Sequence, residues 1–123
     1  MPKRLLVPVV DDDESVRESL PDLLRELGFA AKAFGSAEEF LESDCVNEAA
    51  CLIIDVAMPE MSGPDLQQEL KRRGVNIPII FITAHADATS RGRLIERGAA
   101  ECLFKPFSDT VLRDAVNAAI LRK

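Results

Sequence analysis

Short, mostly apolar runs alternate along this chain with stretches in which apolar residues recur every three or four positions. The runs are Leu5–Val10, Ala30–Phe34, Cys51–Ile54, Ile77–Ile82 and Cys102–Phe104. Each is four to six residues or shorter and is bounded by turn residues, the pattern of strands buried on both faces in a parallel sheet. Between them, Val16, Leu20, Leu23, Leu24 and Leu27 follow helical spacing. Phe40 and Leu41, then Leu66 and Leu70, then Leu94 and Ile95, mark three further helices. Val111, Leu112, Ala115, Val116, Ala119 and Ile120 form the stripe of a last one. Five strands alternating with five helices through short loops predict an α/β fold, a doubly wound parallel sheet with helices on both faces. Right-handed crossovers leave few topologies, and at this length the flavodoxin-like (βα)5 order 2-1-3-4-5 fits best.

Start and stop signals support these elements. Ser15 with Glu18 has capping-box spacing before the first helix, Ser36 precedes the second and Ser108 the last. Pro64 suits the first turn of the third helix. Gly28, Gly74 and Gly98 close the first, third and fourth. The fourth, Thr89–Arg97, is a poor helix. Gly92 costs it about 1 kcal/mol relative to Ala, and it has little to bury beyond Leu94 and Ile95. Two prolines sit awkwardly. Pro8 lies within the first strand, where either one ladder bond is lost or regular pairing begins. Pro21 lies inside the first helix and predicts a kink or local adjustment.

The chain has 123 residues, enough for one domain, 1–123, with a single sizeable core. No linker, repeat or further effector domain is evident within it. A formal charge of −6 argues against direct nucleic-acid binding, which needs a basic surface. No apolar run approaches a membrane span, and the N-terminal segment meets four acids where a signal peptide needs small residues. Cys45, Cys51 and Cys102 have no CxxC spacing and read as reduced thiols of a cytoplasmic protein.

The candidate chemistry lies at the carboxyl ends of the strands, the edge where open α/β sheets bind ligands. The first run ends in Asp11-Asp12-Asp13-Glu14, the third in Asp55, the fourth in Thr83 and the fifth in Lys105. In the order 2-1-3-4-5 these ends are neighbours. Each signal alone is bland: a loop cap, a solvated helix start, a strand-end threonine, a common Lys-Pro dipeptide. Together they describe a site. Three carboxylates brought together repel one another unless a cation neutralises them, and oxygen-only ligands in an open site suit Mg2+. A hydroxyl and an ammonium beside them would hold phosphoryl oxygens. The natural nucleophile is then a carboxylate, which can form an acyl phosphate. Asp13 and Glu14 better serve the start of the following helix.

The segments VVDDD, IIDVAMPEMSG, FITAH and LFKPF resemble the signature segments of response regulator receiver domains. MPEMSGPDL and FITAHAD are similar to the FixJ subgroup of NarL/FixJ-type transcriptional regulators. The resemblance covers the chain end to end. It implies a phosphorelay module in which Asp55 takes a phosphoryl group from the phosphohistidine of a sensor histidine kinase. It implies Mg2+ held by Asp12, Asp55 and the backbone carbonyl of Ala57, with Asp11 contributing through water. It implies that Thr83 and Lys105 contact phosphoryl oxygens, that the Lys105-Pro106 bond is cis, and that self-association uses the fourth helix and fifth strand. A DNA-binding domain beyond this chain would supply the output, and the receiver itself would not be a turnover enzyme. One position departs: the aromatic residue that the family couples to the threonine is replaced by Cys102. Output is therefore expected to run through Thr83 and the weak fourth helix. His85 reads either as a gate for water near the phosphoryl group or as an exposed loop residue, and the small Ala57 leaves the group open.

Two other readings compete. A haloacid-dehalogenase-type phosphatase also uses an Asp nucleophile with Mg2+, but it wants that residue after the first strand in a DxD arrangement. A degenerate receiver, working as an interaction module without phosphorylation, would have lost the lysine, the threonine or the acid pair. All are present.

Overall fold

The computed structural model describes residues 4–84 and 88–122, apart from the side chains of residues 88–91 and 122. His85 lies outside the described residues. Five strands appear in chain order: β1 (Leu6–Val10), β2 (Ala30–Phe34), β3 (Leu52–Asp55), β4 (Ile79–Thr83) and β5 (Glu101–Phe104). They are all parallel, in the order β2-β1-β3-β4-β5, so the expected flavodoxin-like α/β topology is the one adopted. The helices are α1 (Glu14–Glu26), α2 (Ala37–Leu41), α3 (Cys45–Glu48), α4 (Gly63–Arg72), α5 (Ala88–Glu96) and α6 (Asp109–Arg122). The expected fourth helix is therefore α5. Among the described residues no helix is long and apolar enough to cross a membrane.

The two faces of the sheet carry separate cores, because successive strand side chains point to opposite sides. Leu52 and Ile54 of β3 pack with Phe40, Leu66 and Leu94. Cys51 and Ile53 point the other way and pack with Leu24, Leu112 and Val116. All four are fully buried, as a central parallel strand requires.

Several local expectations are corrected. Helix α1 is capped by Asp13, whose carboxylate accepts from Ser15 N at 2.9 Å; Ser15 lies inside the helix and is no cap. A charged acceptor one residue ahead of the first turn serves the exposed N–H groups and the helix dipole together. Helix α3 is a sixth, single-turn helix. Four residues are too few to show periodicity, and it forms because Cys45, Val46 and Ala49 are drawn into the core. Ile95 and Val111 are exposed, 38% and 46%, so α5 is anchored by Leu94 and the buried stripe of α6 is Leu112, Val116 and Ala119. Helix α1 continues through Pro21, which is buried.

Pro8 sits in a strand paired on both sides. Leu5 O accepts from Ala30 N and Leu6 O from Ala50 N, both at 2.9 Å, so alternate residues address β2 and β3. By that alternation the N–H that Pro8 lacks would face β3. Pairing with β2 runs unbroken from Leu6 to Val10, whereas regular pairing with β3 begins only at Val9, after an isolated bridge from Leu6 to Ala49.

The caps at Ser36, Ser62 and Ser108 form, and Ser62 and Asp65 make a reciprocal capping box around Gly63 and Pro64. Gly28, Gly74 and Gly98 follow their helices at φ of 101°, 73° and 103°. Gly63 answers a different need. A Cβ there would lie 2.7 Å from Asp55 O and 2.8 Å from Phe81 Cε1, while Gly63 N donates to Val56 O at 3.1 Å. The start of α4 is thus pressed against the end of β3. Gly63→Ala is expected to lower stability by about 2 kcal/mol, the usual cost of forcing extra volume into a packed site. Gly92→Ala, in open space on α5, is expected to raise it by about 0.5–1 kcal/mol. Urea unfolding followed by circular dichroism measures both; equal effects of the same sign would refute the contact at Gly63.

Candidate phosphoacceptor and cation site

Each strand end delivers its residue for a local reason. β1 runs apolar up to Val10, and its next residue, Asp11, is fully buried. Asp11 survives there because each of its polar groups is paired. Its N–H donates to Phe34 O at 3.1 Å and its carbonyl accepts from Arg17 Nη1 at 3.0 Å. Its Oδ1 accepts from Asp13 N at 2.9 Å, and its Oδ2 from Lys105 Nζ at 3.0 Å. Buried carboxylates persist on such terms. Asp12 follows as an exposed residue.

Asp55 is the last residue of β3, not the first beyond it, and pairs in register with Ile82. Val56 N bonds to Ile82 O, and Lys105 N to Thr83 O at 2.8 Å. This ladder carries Asp55, Thr83 and Lys105 to one level of the sheet edge. Thr83 is half-buried. Carboxylate oxygens of Asp11, Asp12 and Asp55 all lie within 4.8 Å of one another, and Lys105 Nζ stands 3.7 Å from Asp55 Oδ1. Asp11, Asp12, Asp55 and Lys105, from three strand ends, thus form one cluster. The Lys105-Pro106 peptide is cis. Ala57, exposed, lies two residues beyond Asp55 in the loop to α4.

The electrostatics follow from this crowding. Burial pushes the Asp55 carboxyl up to about 6, the neighbouring charges of Asp11 and Asp12 push the same way, and Lys105 partly opposes them. Burial would depress the Lys105 ammonium, but its hydrogen bond and charge pairing with Asp11, and the charge of Asp55, more than offset it, so its pKa is raised. One lysine does not neutralise three carboxylates. The donor set is all oxygen, and three convergent carboxylates carrying excess negative charge fit a small hard divalent cation such as Mg2+.

Two contributors were not read from the sequence. Arg17 lies off the apolar stripe of the first helix, and its bond to Asp11 O joins residues six apart through a turn no periodicity describes. Glu60, in the loop after Asp55, adopts a positive φ of 66°, which a non-glycine residue rarely does; no sequence signal marked it. Cys102 is buried in β5 opposite Phe81, among the side chains that include Leu94 of α5. It lies below the sheet edge, away from the carboxylates in register.

Known proteins share this chain's sequence pattern and fold. The profile of the response regulator receiver domain matches residues 7–117. Nodulation protein W of Bradyrhizobium diazoefficiens is 47% identical over 119 residues, 97% of this chain and 52% of that protein. The transcriptional regulatory protein FixJ of Azorhizobium caulinodans is 40% identical over 122 residues, 99% of this chain and 58% of that protein. The chain therefore spans about half the length of these curated relatives. The crystal structure of FixJ-N superposes with a TM-score of 0.87 at 38% identity, covering 99% of this chain and 98% of that one. With this fold, this edge and these relatives, the chain belongs to the response regulator receiver domain family, the phosphoacceptor modules of two-component signalling.

Proposed function

We propose that Asp55 is the residue that accepts the phosphoryl group, from a phosphohistidine of a sensor histidine kinase. The observation that carries this is the buried Asp55 carboxylate held 3.7 Å from Lys105 Nζ, with Asp11 and Asp12 oxygens within 4.8 Å. An Asp55 oxygen attacks phosphorus, the phosphorus–nitrogen bond to imidazole breaks, and an acyl phosphate remains. Bound Mg2+, held by Asp11 (through water), Asp12, Asp55 and the Ala57 carbonyl, would neutralise charge gathered on the transferring oxygens. Lys105 orients a phosphoryl oxygen by its ammonium and Thr83 another by its hydroxyl. Attack of water on phosphorus later restores the carboxylate and releases inorganic phosphate, so the chain is a timed acceptor and not a turnover enzyme.

An open hollow of about 450 Å3 beside Lys105, lined by Val16, Leu20, Leu23, Pro106 and Phe107 among others, gives the kinase an apolar surface next to the acceptor. The output runs through α5. Its described core contact is Leu94, and its C-terminal carbonyl, Arg97 O, is held by Lys71 Nζ at 2.6 Å and Gln67 Nε2 at 3.3 Å. A helix so thinly attached can shift when Thr83 is drawn toward the phosphoryl group, and self-association then uses α5 and β5. The relatives named above support a transcriptional output in a longer, cytoplasmic protein, with DNA bound outside this acidic domain.

Intact-mass measurement after incubation with Mg2+ and acetyl phosphate is expected to show one added phosphoryl group, lost on hydroxylamine treatment and absent in Asp55→Ala. No adduct on a protein that binds Mg2+ would instead indicate an interaction module independent of phosphorylation. The raised Asp55 pKa gives a second test. Because the folded carboxyl holds its proton up to about 6, against an ordinary 3.8, the metal-free fold loses stability as pH rises through that window and carries the full penalty above it. Asp55→Asn is therefore expected to stabilise the metal-free protein by about 2 kcal/mol at pH 8, less at pH 4.5, and little when Mg2+ is added. An Asp55→Asn protein less stable than wild type at pH 8 would contradict it. Finally, Cys102→Ala is expected to keep phosphorylation-dependent dimerisation, read by sedimentation. Its loss would place Cys102 in the switch.

A further inference from the structure

Asp11 is tied at every polar group, but Asp12 is not. It is exposed, and no hydrogen bond from a described residue reaches its carboxylate. The direction of that side chain is set by the peptide joining it to Asp11. The carbonyl of this peptide, Asp11 O, accepts from Arg17 Nη1 at 3.0 Å. The guanidinium is itself packed in place. It lies against Gly35 in the turn after β2, where an added Cβ would meet Nη1 at 3.6 Å, with Glu39 Oε2 3.7 Å from the same point. Glu39 Oε2 in turn accepts from Gly35 N at 3.3 Å.

We infer that Arg17 is a positioning residue for the cation site: it fixes the plane of the Asp11–Asp12 peptide and so aims the Asp12 carboxylate at Asp55. This rests on the proposed reading of Asp11, Asp12 and Asp55 as a Mg2+ site and adds a residue that touches neither cation nor phosphoryl group. The physical requirement is strict. A carboxylate attached to a peptide free to rotate spends part of its time facing solvent, and the cation must restrain it on binding. A peptide already held by a charged donor presents the carboxylate in place. Groups that orient metal ligands from behind commonly contribute as much to affinity as weak ligands do.

Helix α1 provides an internal control. Near its other end Arg25 donates to Ala31 O at 3.0 Å and pairs with Asp22 at 2.9 Å. Arg25 is thus a similar tether from the same helix to a backbone carbonyl, here in β2, at the end remote from the site. Calorimetric titration of Mg2+ into wild type, Arg17→Met, Arg17→Lys and Arg25→Met, with urea unfolding of each, tests the inference. Methionine keeps much of the side chain's apolar stem and loses the donor. Arg17→Met is expected to weaken Mg2+ binding about tenfold, and Arg17→Lys, which can still donate to Asp11 O, to recover much of that loss. Arg25→Met is expected to bind as wild type even where its unfolding midpoint falls as far. An Arg17→Met protein within twofold of wild type would overturn the inference. So would an Arg25→Met protein weakened as much as Arg17→Met, since the effect would then be helix stability alone. Failure of wild type to bind Mg2+ would instead sink the underlying cation reading.

Discussion

Everything at the working edge depends on the pairing of Lys105 with Asp11 inside a cluster of carboxylates. Asp11 is fully buried and Asp55 nearly so; left alone, two such charges would repel one another and strain the loops that carry them. The ammonium 3.0 Å from Asp11 and 3.7 Å from Asp55 holds both in place from the end of β5, two strands from β3 and three from β1. Removing one partner of a buried pair costs more than the pair contributes, because the other charge stays behind. The compensation is also incomplete, as the raised Asp55 carboxyl records. The edge is short of positive charge, the shortage that the proposed cation would relieve.

This constraint explains why the loops around the site are tightly specified. The segment from Val56 to Gly63 must leave β3, carry Ala57 past the cluster, and return to start α4 directly beneath Asp55. It closes with a bond from Gly63 N to Val56 O, admits no side chain at Gly63, and places Glu60 at positive φ. A non-glycine residue held there costs of order 1–3 kcal/mol. Such a loop is not a spacer between a strand and a helix. It is the means by which the nucleophile's own backbone is braced, and the capping box of Ser62 and Asp65 extends that bracing into α4.

The legible and illegible parts of the chain divide along physical lines. Strands β3 and β4 announced themselves because a strand buried on both faces is apolar along nearly its whole length, whereas β2, with Lys32 exposed and only Phe34 buried, was marked by the turn residues around it. The site residues were legible because parallel topology converts a one-dimensional fact, the residue after each run, into proximity. Helix α3 was not, since a single turn has no period. Val111 and Ile95 were misplaced because an apolar residue at helical spacing can sit at the margin of a stripe and face water. The α1 cap went to Asp13 over Ser15, since two acceptable caps stood two residues apart. Arg17 was illegible for a different reason: a long polar side chain reveals nothing of its direction until the turn it reaches is known.

The same division bears on how a signal could leave the site. β1, β3 and β4 are packed on both faces and paired on both sides, so they have one arrangement. Among its described side chains, helix α5 buries only Leu94. Its described anchors are Leu94 and the carbonyl of Arg97, which Gln67 and Lys71 hold from α4. In the proposed switch a displacement at Thr83 would meet a rigid sheet on one side and a lightly held helix on the other, and the softer element would move. With Cys102 and not an aromatic residue at that position of β5, the proposed path through α5 requires no ring there. It requires only that the helix be weaker than the strand it follows, which Gly92 and its two exposed neighbours in the fold, Arg93 and Ile95, already ensure.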